Sequence, residues 1–193
     1  MHGSALVGRG GSIDWCCIPR FDSAAFFSRI LDSTKGGFFK LWPTDVVRSS
    51  RRYLPNTNIL ETSFTTGTGS GFLLDFMPVH RYSPSPRNPM ENTGFQGVVR
   101  ILQCTRGRLG FEMECRPRFD YGKIVPHSSL SNPNTGIAHG GSDAVSVYCS
   151  SGLSMVNDGF QADGEILEGG KLYATVSNQM SCSHSPEPLH STE

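Results

Sequence analysis

Residues 98–122, VVRILQCTRGRLGFEMECRPRFDYG, hold the clearest strand signal in the chain. Leu109, Phe111, Met113 and Cys115 alternate with Gly110, Glu112, Glu114 and Arg116. A period of two gives a strand one buried and one wetted face. The apolar run 98–104 before it reads as a second strand. Thr105-Arg106-Gly107-Arg108 between them is short and contains a glycine, so the pair is predicted to form an antiparallel hairpin. Outward from there, Phe72, Leu74 and Phe76 alternate with Leu73, Asp75 and Met77, as in a more deeply buried strand. Residues 59–65, 145–149 and 172–176 are further strand candidates, the last entered through Gly169-Gly170. Gly67, Gly69 and Gly71 lie between two strand-like runs and read as a hairpin turn, because a phosphate-cradling loop would open a helix instead. The run 38–42, FFKLW, is a strand stopped by Pro43. Its aromatics are expected in the core rather than as a sugar-stacking platform. The predicted fold is an all-β antiparallel sandwich with one short helix.

That helix is expected near a second informative stretch, GSIDWCCIPRFDS at residues 11–23. Gly8, Gly10 and Gly11 make a flexible turn, residues 12–18 are β-prone, and Pro19 ends the strand ladder. Asp22 or Ser23 reads as the N-cap of a helix over residues 24–31, which would bury Phe26, Phe27, Ile30 and Leu31, with Gly36 beyond its end. Asp14, Arg20 and Asp22 surround a chain reversal, and Trp15 lies beside them. Two readings stand open for these residues: an ion pair bracing a turn while Trp15 fills the core, or a polar and aromatic surface for a ligand.

Composition bounds the function. The length, 193 residues with 22 glycines and 12 prolines, suits one β-rich domain with a sizeable core. Residues 1–178 read as the sandwich and 179–193, QMSCSHSPEPLHSTE from Gln179, as a disordered polar tail. Seventeen basic against seventeen acidic residues leave no electrostatic case for nucleic acid or an anionic membrane as partner. No stretch reaches the length of a membrane-spanning helix, and the first residues lack the pattern of a signal peptide. The cytoplasm is therefore the expected location. Of the six cysteines, Cys16 and Cys17 are adjacent, while Cys104 and Cys115 sit on strands as small hydrophobes would, so free thiols are expected. No cofactor and no metal site is expected. Cys182-Ser183-His184 lies in the polar tail, and His127 and His139 lie in stretches read as loops, without companions at ligand spacing.

Five blocks carry a family resemblance: GSIDWCCIPRFDS, RRYLPNTNILETSF at 51–64, LLDFMP at 73–78, residues 98–122, and SDAVSVYCS at 142–150. Their order resembles that of the trehalase-like N-terminal domain which precedes the catalytic barrel in glycoside hydrolase family 15, the glucoamylases and trehalases of that group. The resemblance implies a large antiparallel β-sandwich, with the two catalytic carboxylates on an (α/α)6 barrel that is not in this chain. It also implies a few more residues before Ala5 and a β-domain continuing past Glu193, so that the final strands are absent. The segment 80–93, HRYSPSPRNPMENT, is long and proline-rich for the family.

Glycoside hydrolysis needs two carboxylates flanking the scissile bond. Asp14, Asp22, Glu61, Asp75, Glu112, Glu114 and Asp120 are available, but no spacing singles out a pair. No catalytic residue is therefore assigned. The favoured expectation is a non-catalytic accessory domain that supports an (α/α)6 glycosidase barrel, in cis or in trans, and lends residues to its α-glucoside pocket. The rival is a stand-alone glycan-binding or scaffolding protein, and a homodimer through the barrel-facing surface is a third arrangement. Asp14, Trp15, Arg20 and Asp22, with Arg118, Asp120 and Tyr121, are the candidate substrate- or barrel-contacting residues. Both groups combine planar hydrogen-bonding groups with an aromatic ring, which suits a neutral polyol.

Overall fold

The computed structural model describes residues 3–78 and 95–179. The expected polar tail 179–193, except Gln179, and the proline-rich segment 80–93 lie outside the described residues. Within them the chain forms one continuous antiparallel sheet of thirteen strands, folded into two packed layers. The expected all-β sandwich is what forms.

One layer runs in the order β1 (Ser4–Val7), β2 (Ser12–Cys17), β3 (Phe38–Pro43), β7 (Gly97–Arg116), β12 (Gly159–Leu167) and β11 (Ser154–Val156). The other runs β4 (Val46–Tyr53), β5 (Leu60–Thr66), β6 (Gly69–Phe76), β7 again, β13 (Lys171–Asn178), β10 (Asp143–Cys149), β9 (Thr135–Gly140) and β8 (His127–Asn132). The strand β7 belongs to both. Its first part pairs with β13 from Gly97 to Gln103 and with β6 from Val99 to Gly107. Its second part pairs with β12 from Arg108 to Cys115 and with β3 from Phe111 to Arg116.

This corrects the expected hairpin between residues 98–104 and 109–116. Thr105-Arg106-Gly107-Arg108 does not reverse the chain; it carries one strand from the first set of neighbours to the second. Gly107 makes the passage, with φ of 69° in the left-handed region, where a Cβ would run into the Thr68 carbonyl. The ladder with β6 slips by one residue at Ser70/Gly71, opposite this point, as at a β-bulge that redirects a strand. A bend and a hairpin loop draw on the same residues. Which one forms depends on distant pairing partners.

The expected helix over residues 24–31 is also absent. The main chain there bonds to β2 rather than to itself: Cys16 N–H donates to Phe27 O at 3.0 Å and Phe26 N–H to Cys16 O at 3.1 Å, a single antiparallel bridge. Phe26 and Phe27 are buried as expected, but Ile30 and Leu31 are 62% and 64% exposed. A strand-like segment bracketed by turns cannot bring residues three and four apart onto one face as a helix does.

The strand faces, the β5–β6 turn and the free thiols agree with expectation. Leu109, Phe111, Met113 and Cys115 are all buried, as are Phe39 and Leu41 of β3. Thr66 to Gly69 forms the β5–β6 turn, with Thr66 Oγ1 accepting from Gly69 N–H. The described cysteines are free and buried, and burial raises the thiol pKa of Cys16 and Cys115 well above the ordinary value. His127 and His139, expected in loops, lie opposite each other on β8 and β9, because Pro133 and Asn134 close a hairpin there. Among the described residues no group of three or more His, Cys, Asp or Glu is placed to hold a metal, and no helix is long and apolar enough to cross a membrane.

Between the layers lies a pair the sequence did not flag. Arg100 on β7 and Asp75 on β6 are directly opposite in register and almost wholly buried, with side-chain exposures of 0% and 2%. Arg100 Nε donates to Asp75 Oδ1 at 2.7 Å and Nη1 to the Phe39 carbonyl of the facing layer at 2.8 Å. The guanidinium carbon sits 5.0 Å from the centroid of the Phe39 ring. One side chain thus ties β6, β7 and β3 together.

Candidate functional site

Two loops leave the same end of the fold. The first, residues 18–37, follows β2; the second, residues 117–126, follows β7. Main-chain hydrogen bonds lace them together, from Arg118 N–H to Phe26 O at 2.9 Å and from Tyr121 N–H to Ala25 O at 3.2 Å. The two sequence-predicted groups therefore meet, and their contact is aromatic: the rings of Trp15 and Tyr121 lie 5.9 Å apart, tilted by 38°. Trp15 is half-buried and does not fill the core.

The polar members pair closer to home. Arg20 donates to Asp22 through Nε and Nη2 at 2.8 and 2.9 Å, an exposed two-pronged pair that also raises the Arg20 pKa. Arg20 N–H bonds Ser23 Oγ at 3.2 Å, so Ser23 closes a turn where a helix N-cap was expected. Asp14 accepts from Ser12 Oγ at 2.6 Å and lies 4.0 Å from Arg29 Nη1. Asp120 is held by Lys123 Nζ at 3.0 Å. Arg118 bonds the Pro117 carbonyl at 2.8 Å, and burial, then the charge of Arg116, lowers its pKa.

Backbone conformation sets the second loop apart. Asp120 and Tyr121 have φ of 47° and 58°, followed by Gly122 at 90°. Two successive non-glycine residues in the left-handed region cost free energy, and such conformations concentrate where a side chain must be aimed. Here the effect is to present the Tyr121 ring to Trp15 at the surface. Around the pair Phe21, Ile30, Leu31, Tyr121 and Val125 are exposed, Phe21 by 70%. Both loops thus turn apolar side chains outward at one end of the molecule.

Sequence reasoning missed Arg29, Arg116 and Ser28. The Arg29 guanidinium lies 4.5 Å over the Phe38 ring, which is half-buried rather than core. Arg116 Nε is buried 3.5 Å from Glu114 Oε1 without an aligned hydrogen bond, and Ser28 Oγ is buried without a partner among the described residues. The signal for Arg116 was in plain view in CRPRFDYG, where two arginines flank a proline and only the second drew attention. Of the seven candidate carboxylates, six have a cation within reach: Asp14, Asp22, Glu61, Asp75, Glu114 and Asp120. Glu112 is exposed on the wet face of β7.

An antiparallel β domain with two hydrogen-bonded loops at one end is the class of module that the fold defines. Residues 1–166 match the family described as trehalase-like, N-terminal, and the chain belongs to that family. It is 36% identical over 143 residues to the trehalase of Mycolicibacterium smegmatis, a match covering 70% of this chain and 21% of that protein. Similar matches are found to the trehalase of Mycobacterium tuberculosis, 35% identical over 129 residues, and of Thermoplasma volcanium, 36% identical over 124 residues. Each covers 63% of this chain and 19% of the relative. The chain spans about a fifth of the length of these curated relatives.

Proposed function

We propose that this chain is the non-catalytic N-terminal domain of a trehalase-like α-glucoside hydrolase of glycoside hydrolase family 15. The observation that carries the reading is the loop end itself. Phe21, Ile30, Leu31, Tyr121 and Val125 are turned outward on two hydrogen-bonded loops, an apolar surface of the kind that marks a protein contact. The occupant is the (α/α)6 barrel. The barrel supplies the acid and base carboxylates, and the chain alone turns over no α-glucoside. Trp15, Tyr121 and the Arg20–Asp22 fork lie at the rim of that contact, where they orient a neutral sugar at the mouth of the barrel pocket. The unpaired thiols of the described residues agree with a cytoplasmic setting.

A chimaera tests this reading. Residues 1–178 replace the matching first fifth of the Mycolicibacterium smegmatis trehalase, and trehalose hydrolysis is measured. The chimaera is expected to hydrolyse trehalose, and Arg20→Ala to lower kcat/KM about fivefold with the melting temperature nearly unchanged. A folded but inactive chimaera removes the accessory reading. If Arg20→Ala instead lowers the melting temperature and leaves kinetics intact, the fork is a structural brace. Binding of trehalose by the isolated chain with a Trp15-dependent signal favours the stand-alone glycan-binding alternative.

A further inference from the structure

Away from the loop end, an open groove of about 500 Å³ lies between the β1–β2 turn and β4. Its lining comes from Arg9 on the turn, from Ser49 to Tyr53 on β4, and from Leu60 on β5. Side chains alternate along a strand, so Ser49, Arg51 and Tyr53 share one face of β4 while Ser50 and Arg52 share the other. That both sets line the same space means the groove opens along the edge of β4, not over a face. Among the described residues β4 pairs with β5 alone, so main-chain groups of its outer edge also look into the groove. Seven of its eight residues are exposed.

Charge in the groove is unbalanced. Arg52 is neutralised by Glu61, with Nε 2.8 Å from Oε1. Arg51 spends one nitrogen on the Val7 carbonyl at 3.0 Å, which ties β4 to β1 beside the groove. Among the described residues neither Arg51 nor Arg9 has an ion pair. Arginines on an edge strand do discourage pairing by further strands. Arg9, however, belongs to a different element in the other layer and converges on the same space. Two uncompensated guanidinium groups, two serine hydroxyls and free strand-edge N–H groups make a concavity suited to a multiply charged oxyanion. The space exceeds what a bare phosphate fills and lies in the size range of small-ligand sites. Tyr53 and Leu60 add an apolar wall on which a carbon skeleton can rest.

We propose that this groove binds a phosphate monoester of a sugar or similar polyol. Arg9 and Arg51 grip the phosphate, Ser49 and Ser50 hydrogen-bond its oxygens or the hydroxyls, and Tyr53 and Leu60 flank the carbon skeleton. The assignment does not depend on the accessory role.

Calorimetric titration of the chain with glucose 6-phosphate, inorganic phosphate and glucose tests it. Glucose 6-phosphate is expected to bind more tightly than inorganic phosphate, with glucose giving no signal and added salt weakening the binding. R9Q and R51Q should each weaken the ester about tenfold. R9Q removes no observed intramolecular contact, so it decides the matter if R51Q, which loses its bond to Val7, melts early. Absence of ester binding overturns the proposal. So does inorganic phosphate binding as tightly as the ester, or ester affinity unchanged in R9Q.

Discussion

Arg100 and Asp75 occupy positions where their strands otherwise place apolar side chains. Val98, Leu102 and Cys104 share the buried face of β7 with Arg100, and Leu73 shares that of β6 with Asp75. Two charges removed from water are tolerated because each satisfies the other and Arg100 Nη1 is used by the Phe39 carbonyl. Removing one partner leaves the other charged and unpaired in the core. Asp75→Ala is therefore expected to cost about 3–5 kcal/mol in urea unfolding, whereas the double replacement Asp75→Leu with Arg100→Met loses much less. If the double variant is as unstable as the single one, the ion pair does not act as a unit. The pair was legible in principle: an arginine in the apolar register of one strand and an aspartate in that of another. What period-two reading withheld was that β6 and β7 are neighbours, since register across strands is not written in either strand alone.

At the scale of elements, alternation located the strands and the turns decided their connections. Regions around β3, β5, β6, β10 and β13 were visible as apolar runs with glycine or proline punctuation. β4 was not, because its exposed serines and arginines give no alternation, and β8 and β9 were hidden in a Ser- and Gly-rich stretch that resembles a loop. Residues 24–31 looked helical because the spacing of Phe27, Ile30 and Leu31 fits a helix face, while β2 offered its backbone a better set of partners. Of the candidate site, the two motifs are legible in the sequence, but their meeting through Trp15 and Tyr121 follows from loops brought together by the fold. Gly107 is where local sequence misled most. Replacing it with alanine puts a Cβ into the left-handed region and against Thr68 O, so Gly107→Ala should lower stability by about 1–2 kcal/mol. Gly67, where an added Cβ meets nothing within 4 Å, is the control, and Gly67→Ala should change the urea midpoint little. Equal effects at the two positions speak against Gly107 as the pivot of β7.

At the scale of the molecule, buried thiols report on both layers. Cys115 lies in the half of β7 that joins β3 and β12, and Cys149 lies on β10 in the other layer. Burial raises both thiol pKa values, and that of Cys115 strongly. In the native protein at pH 8, iodoacetamide should leave Cys115 unmodified, and in a urea series both thiols should become reactive at the same midpoint, read by peptide mass spectrometry. Appearance of Cys149 well before Cys115 indicates layers that open separately. The sign of the pH effect follows from the same burial. The raised folded-state pKa values contribute stability that is intact below the ordinary thiol range, about pH 8.5, and falls away as pH rises above it, because the unfolded thiols ionise first.

A strand common to two layers also limits how this domain can be handed on. Cutting the chain on either side of β7, or exchanging one layer for that of a relative, deprives the remaining half of its central strand. Recombination within the sandwich is therefore penalised in a way that recombination at its borders is not. The matched span of residues 1–166 stops inside β12, yet β13 lies against β7 along Gly97–Gln103. The unit of inheritance set by physics is thus longer than the stretch whose sequence the family shares, and a swap joint at residue 166 would cut β12 and part β13 from β7.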